Sequence, residues 1–176
     1  MPLTKRYEEI LKLSKAITDG VRSGISNLAN VAAVLFEYLD DVNWAGFYLA
    51  GEADGQEALL LGPFQGRPAC VVIKRGRGVC GTAMAEERTV VVEDVTEFPG
   101  HIACDPKSRS EIVVPVFVDG VLFGVIDIDS EKQGRFGDDD REGLEALAGF
   151  IGELLSRPGS LRNEAFASST AKGSKS

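Results

Sequence analysis

The chain is poor in histidine, cysteine, tryptophan and long apolar runs, and each scarcity removes a class of protein. One histidine, His101, stands among 176 residues, so a multi-histidine metal centre is excluded and general acid or base work falls mainly to carboxylates. The three cysteines, Cys70, Cys80 and Cys104, are odd in number and fit reduced thiols of a cytoplasmic protein better than a closed disulfide framework. The longest apolar stretches are of the kind Val31 to Phe36, far short of the roughly 20 residues that cross a bilayer. Lys5, Arg6, Glu8 and Glu9 interrupt the opening residues, so no secretory signal is expected there. Basic side chains number 19 against 27 acidic ones, and a net charge of -8 repels nucleic acid from most of the surface. Two short basic clusters, Arg67 with Lys74, Arg75 and Arg77, and Lys107 with Arg109, leave room only for a local phosphate contact.

With 44% hydrophobic and 26% charged residues, the composition is that of a soluble globular body. Its length suits one domain, expected over residues 1–157, followed by a flexible Ser-, Ala- and Gly-rich tail over 158–176. Tyr7, Ile10, Leu11 and Ser14 share one side of a helix from Leu3 to Ile17, and Leu28, Ala32, Leu35 and Leu39 recur at helical intervals in a second from about Ile25 to Tyr38. Strands are expected at Asn43 to Ala50, Ala58 to Leu61, Cys70 to Ile73 and Thr89 to Val92, with a short helix over Gly78 to Glu87. Asp119-Gly120 is a strong two-residue turn between apolar strands Glu111 to Val118 and Val121 to Ser130. A last helix starts at Asp138, buries Leu144, Leu147, Ala148 and Ile151, and stops at Pro158-Gly159. Alternating βα units are absent, so the order of elements predicts an α+β fold, an antiparallel sheet with helices packed against it.

Between the fourth strand and the hairpin, Glu93 to Ser110 has no period and carries Pro99, Gly100 and Pro106, which predicts a long loop with a binding or catalytic reason to exist. Cys104 stands within it, where loop motion can present a nucleophile first to a substrate and then to a second thiol. Cys70, followed by Val71 and Val72, and Cys80, at a glycine-bracketed helix start, read equally well as small core residues. No Cys-x2-4-Cys element fixes two ligands together, which argues against zinc. Gly76-x-Gly78-x-x-Gly81 lacks the Lys-Ser/Thr ending of a phosphate loop.

The carboxylates carry a sharper signal. Asp127 and Asp129 project from one face of their strand, where leucines would be expected. A two-residue turn at Asp119-Gly120 places Glu111 opposite Ile128 and diagonal to both aspartates, so three acids converge. Such a cluster holds an ammonium group, and like-charge proximity keeps one carboxyl protonated for acid work; the plainer reading is a solvated strand end. Trp44 and Tyr48 lie on one strand face, as an apolar ligand wall or as ordinary core.

Asn43 to Tyr48, Leu61 to Gly66, Gly76 to Ala83, the Cys104 loop, Ser110 to Pro115 and Gly124 to Ser130 together resemble the free methionine-R-sulfoxide reductases, single GAF-domain enzymes, over most of residues 7–155. The resemblance implies a GAF-like antiparallel sheet, Cys104 as nucleophile, Cys70 as the principal resolving thiol and Cys80 as a further or alternative one. It likewise implies Glu111, Asp127 and Asp129 as ligands to the amino group of free methionine sulfoxide, with at least one helping to protonate the sulfoxide oxygen, and Trp44 and Tyr48 as the wall around its methyl end. Neither a bound cofactor nor a metal is expected. Thioredoxin is the implied external reductant, with NADPH consumed indirectly by thioredoxin's own reductase. A homodimer is left open, membrane association is not expected, and the rival reading is a non-catalytic GAF module that binds a small metabolite.

Overall fold

The computed structural model describes residues 2–100 and 106–157, so His101, Cys104 and the tail expected over 158–176 lie outside the described residues. Two helices open the chain, α1 (Leu3–Thr18) and α2 (Gly24–Tyr38). They are followed by β1 (Trp44–Ala53), β2 (Gln56–Gly66), β3 (Val72–Lys74), α3 (Gly78–Glu86), β4 (Val90–Val92), β5 (Ser110–Val118), β6 (Val121–Ser130) and α4 (Asp138–Ser156). The strands form one sheet in the order β3-β2-β1-β6-β5-β4, every neighbour antiparallel, which is the α+β architecture expected.

Strand alternation divides the apolar residues between two faces. Ala45, Phe47, Leu49, Ile112, Val114, Ile126 and Ile128 meet the buried sides of α1, α2 and α4 in the larger core. The periodic positions read from the sequence fall there: Tyr7 and Ile10 of α1, Leu28, Ala32 and Leu35 of α2, and Leu144, Leu147, Ala148 and Ile151 of α4. Trp44, Tyr48, Val113 and Val125 point to the opposite face, where, among the described residues, α3 is the one α-helix over the sheet, with Val79, Cys80, Ala83 and Met84, and Val95 of a short 3-10 turn packs beside it. A face covered by one nine-residue helix is where a ligand can reach the sheet.

Two bulges set the register. Between Val116 and Phe117 the β5–β6 pairing slips by one residue, so Glu111 lies opposite Asp129 and Val113 opposite Asp127. This corrects the expected pairing of Glu111 with Ile128, which assumed an uninterrupted ladder from the turn. The extra residue keeps Glu111 on the face of Asp127 and Asp129, since a one-residue slip exchanges the faces of a strand. The second bulge lies in the β1–β2 pair beside Gly46 and Tyr48. It absorbs an extra residue of β2 near Gly62-Pro63 and lets that strand run to Gly66, well past the expected end at Leu61, because proline lacks the ladder donor and is tolerated at such irregularities. The expected loop is also shorter than its sequence span, since Val95–Glu97 forms a 3-10 turn in which the Asp94 side chain accepts from the Thr96 amide.

α4 begins on a one-sided cap in which the Gly137 amide donates to Asp140 Oδ2 at 2.9 Å, glycine having no side chain with which to cap in return. The same buried carboxylate receives Arg135 Nη1 at 3.0 and 3.1 Å and the Tyr7 hydroxyl at 2.9 Å, tying α1 to the start of α4. Burial, with Asp140 adding to it, raises the Tyr7 pKa, so the phenol stays a donor. Asp140→Ala leaves the nearly buried Arg135 cation without its counter-charge and is expected to lower stability by roughly 3–5 kcal/mol, against about 1 kcal/mol for Tyr7→Phe. Urea unfolding of the two variants checks this, and equal small losses would contradict it.

Candidate active site

On the α3 side of the sheet, Trp44, Tyr48, Ile73, Val79, Cys80, Glu111, Asp127 and Asp129 line one narrow cavity together with Pro68, Ala69, Arg77, Gly78 and Ser108. Each wall follows from local structure. Trp44 and Tyr48 are brought onto one face by strand alternation, with ring centroids 5.8 Å apart, and Phe64 of β2 stacks on Trp44 from the other side at 5.2 Å. Gly46 between them is required by this packing, because a Cβ there would lie 2.7 Å from the Trp44 ring and 2.4 Å from the Phe64 Cβ. The rings' polar ends are anchored: Trp44 Nε1 donates to the Arg67 carbonyl at 3.1 Å and Tyr48 Oη to the Cys70 carbonyl at 3.0 Å. Both aromatic residues are therefore buried yet line the cavity, so the core and ligand-wall readings both hold.

α3 enters from the Gly-rich run. Gly81 packs against the β3 backbone so closely that a Cβ would stand 2.4 Å from the Lys74 carbonyl oxygen. This seats Cys80 over the carboxylates, with its Sγ 3.7 Å from Glu111 Oε1. Among the described residues, the donor atoms of Cys80, Glu111 and Asp127 all lie within 4.8 Å of one another. All three are buried, whereas Asp129 is half-buried at the rim.

Burial decides the protonation of this group. Desolvation, followed by the charge of Asp127 and then Asp129, pushes the Glu111 carboxyl well above its ordinary range. Desolvation likewise raises Asp127, to about 7, against opposing hydrogen bonds from Cys80 and Glu111. The Cys80 thiol is raised by burial and then by the two acids, so it is neutral; amides at the start of α3 do not make it a thiolate. Tyr48 is raised by the same burial and by Asp127. Asp127 Oδ1 is buried without a hydrogen-bond partner, a cost expected where a ligand supplies the donor.

The three cysteines are in different situations. Cys80 is a free buried thiol, Cys70 is disulfide-bonded and half-buried, and Cys104 lies outside the described residues. The backbone on both sides of residues 101–105 is held to the fold. Arg109 Nη2 donates to Asp94 Oδ2 at 2.7 Å, Val95 N to the Arg109 carbonyl at 2.8 Å, and Arg109 N to the Ser130 carbonyl at 2.7 Å. Ser108 accepts from Asn43 Nδ2 at 3.1 Å and borders the cavity. The sequence reading missed Arg77, Gly78 and Ser108 as cavity residues; the glycine spacing was visible, but it was weighed as a helix start around Cys80 and as a phosphate loop, not as a cavity wall.

This arrangement, a two-sided antiparallel sheet whose open face holds a small-molecule cavity under one helix, defines a GAF-domain protein, and the GAF domain family matches residues 20–155. The chain is 51% identical to the Bacillus subtilis protein YtsP over 87% of its length and 93% of that protein's. It is 47% identical to the free methionine-R-sulfoxide reductase of Escherichia coli over 88% of this chain and 92% of the relative. The X-ray structure of free methionine-R-sulfoxide reductase from Neisseria meningitidis in complex with its substrate superposes with a TM-score of 0.81 at 44% identity, covering 88% of this chain and 89% of that one. The chain belongs to the free methionine-R-sulfoxide reductase family.

The raised carboxyl of Asp127 predicts a pH signature. Its proton is bound more tightly in the folded chain than in the unfolded one, so the stability it contributes is complete below about pH 4 and is lost as pH rises through about 7. Asp127→Asn is therefore expected to gain stability relative to the parent chain between pH 4 and 7. Urea midpoints across that range check it; a constant difference between the two proteins would contradict it.

Proposed function

We infer that this chain reduces free methionine-(R)-sulfoxide to methionine through cysteine chemistry, and that Cys104 is the nucleophile. The observation that carries the reading is the buried Cys80–Glu111–Asp127 cluster at a cavity walled by Trp44 and Tyr48, with an oxidised Cys70 hydrogen-bonded through its carbonyl to that wall. Cys104 attacks the sulfoxide sulfur and takes its oxygen as a sulfenic acid, and methionine leaves. The Cys70 thiol then attacks that sulfenic sulfur, water departs, and a Cys70–Cys104 disulfide remains. Cys70 is the first resolving thiol rather than Cys80, whose buried neutral sulfur faces carboxylates.

Each part of the substrate has a counterpart in the cavity. The methyl end packs on the Trp44–Tyr48 wall. Asp127 and the half-buried Asp129 take the ammonium group, and Glu111, the acid most strongly driven to keep its proton, donates to the sulfoxide oxygen. The substrate carboxylate meets Arg77 and the free amides of Gly78 and Val79 at the start of α3. A methionine inside a polypeptide has no free ammonium and brings flanking chain into a narrow cavity, so the free amino acid is the substrate. Thioredoxin resets the disulfide, and NADPH supplies its electrons through thioredoxin reductase. No described helix is long and apolar enough to cross a membrane, and the reducing cytoplasm is the compartment that suits this cycle.

Incubation with the R and S epimers of free methionine sulfoxide and dithiothreitol tests the activity; methionine is expected from the R epimer alone. In single-turnover experiments, Cys104→Ser is expected to yield no methionine, whereas Cys70→Ser yields one equivalent per chain and then stalls. Glu111→Gln is expected to slow that turnover by about 100-fold or more, the scale of a lost general acid. Wild-type single-turnover rates in Cys104→Ser would end the assignment.

A further inference from the structure

We propose that Val71 and Val72, with Arg67 and Lys74 beside them, form the surface on which a dithiol reductant protein docks to reduce the Cys70 disulfide. The proposal rests on the catalytic cycle above, which leaves a disulfide that an external dithiol must open, and adds where that partner lands.

Val71 is 68% exposed and Val72 42% exposed, immediately after the oxidised cysteine. Scattered exposed valines need no explanation, but these two follow directly in sequence on a sulfur that another protein must reach, and both offer apolar surface to solvent there. Local structure produces the pair. Val71 precedes β3, where its carbonyl accepts from Leu61 N at 2.9 Å, while Val72 and Lys74 lie on the exposed side of the strand and Ile73 turns inward. β3 is also an outer strand of the sheet, and among the described residues no further strand lies beyond it.

Charge identifies the partner's complement. Residues 67–77 contain Arg67, Lys74, Arg75 and Arg77 and no carboxylate, in a chain of net charge -8. Arg75 is committed within the fold, 3.5 Å from Glu57 and donating to the Ala85 carbonyl at 3.1 Å, and Arg77 lines the cavity. Arg67 and Lys74 remain as the exposed basic rim of the apolar pair. An apolar centre with a charged rim is the anatomy of a transient interface, and this rim selects a dithiol protein whose thiol-bearing face is apolar and bordered by carboxylates. A protein contact thereby takes the place of the local phosphate contact that the basic cluster left open.

Docking serves a balanced exchange. One thiolate of the reductant attacks Cys70 Sγ, the disulfide breaks, and the displaced cysteine leaves as a thiolate. The reductant's second thiol, giving up its proton, attacks the resulting mixed disulfide and releases Cys70. Two electrons enter the chain, and the reductant departs with its own disulfide.

The test compares two reductants on the full chain with free methionine-(R)-sulfoxide: thioredoxin, recycled by its reductase and NADPH, and dithiothreitol, which needs no docking surface. Val71→Asp and Lys74→Glu are each expected to raise the KM for thioredoxin about tenfold, the size of a modest interface hot spot, with dithiothreitol-driven turnover within about twofold of the parent. Added salt is expected to raise the parent's thioredoxin KM and to have less effect on Lys74→Glu. An unchanged thioredoxin KM in both variants overturns the proposal, as does an equal loss with both reductants, which would assign the segment to the cavity's framework. A parent chain that turns over with dithiothreitol but not with thioredoxin overturns the docking surface and leaves the reductase reading standing. No methionine with either reductant removes the reductase reading itself.

Discussion

Two carboxyl groups taken out of water and set against a neutral thiol are the constraint on which the site depends. Glu111 and Asp127 are held in place by the backbone of β5 and β6, not by long flexible side chains, and their desolvation drives both toward the protonated state. That condition is unfavourable for the empty protein and useful to a bound zwitterion. In the proposed mechanism an arriving ammonium gives Asp127 a counter-charge, while Glu111 keeps a proton for the departing oxygen. Burial, reinforced by the same pair, keeps the Cys80 thiol neutral, which separates it chemically from Cys70 and Cys104 of the proposed cycle.

The fold supports this cost by dividing labour between the faces of the sheet. Three helices cover one face with the larger apolar core, and the cap at Asp140, shared by Tyr7 and Arg135, locks the first and last helices together. The other face is free to carry polar groups because, among the described residues, α3 is the one α-helix that covers it. The bulge at Phe123 of β6 is what delivers Glu111 to that face; with an uninterrupted ladder it would stand opposite Ile128, whose side chain belongs to the core.

Most of the fold was legible because its helices and hairpin strands have clean periods. Strand β6 and helix α2 begin and end within a residue of expectation, and the apolar faces fall where spacing put them. The misses have local causes. β2 outran its expected end because Gly62 and Pro63 look like breakers but occupy an irregular pairing, and the Glu111 register failed because a bulge leaves no composition signal. Of the site, the acids and aromatics were visible as polar and aromatic residues at strand positions facing one way. Arg77, Gly78 and Ser108 were not, since they reach the cavity through the three-dimensional path of α3 and of the chain leading into β5. Cys70 to Ile73 was read as a short strand with no face assigned to Val71 and Val72, and the edge position of β3 reveals them as surface.

The central claim is that an acid cluster recognises a free ammonium group. Comparing kcat/KM for free methionine-(R)-sulfoxide with that for its N-acetyl derivative, under dithiothreitol, tests it most directly, because acetylation removes that charge and leaves the sulfoxide intact. The account predicts a loss of about 1,000-fold or more for the acetylated compound, the scale of leaving buried charged groups without their partner. Comparable values for the two substrates would contradict it.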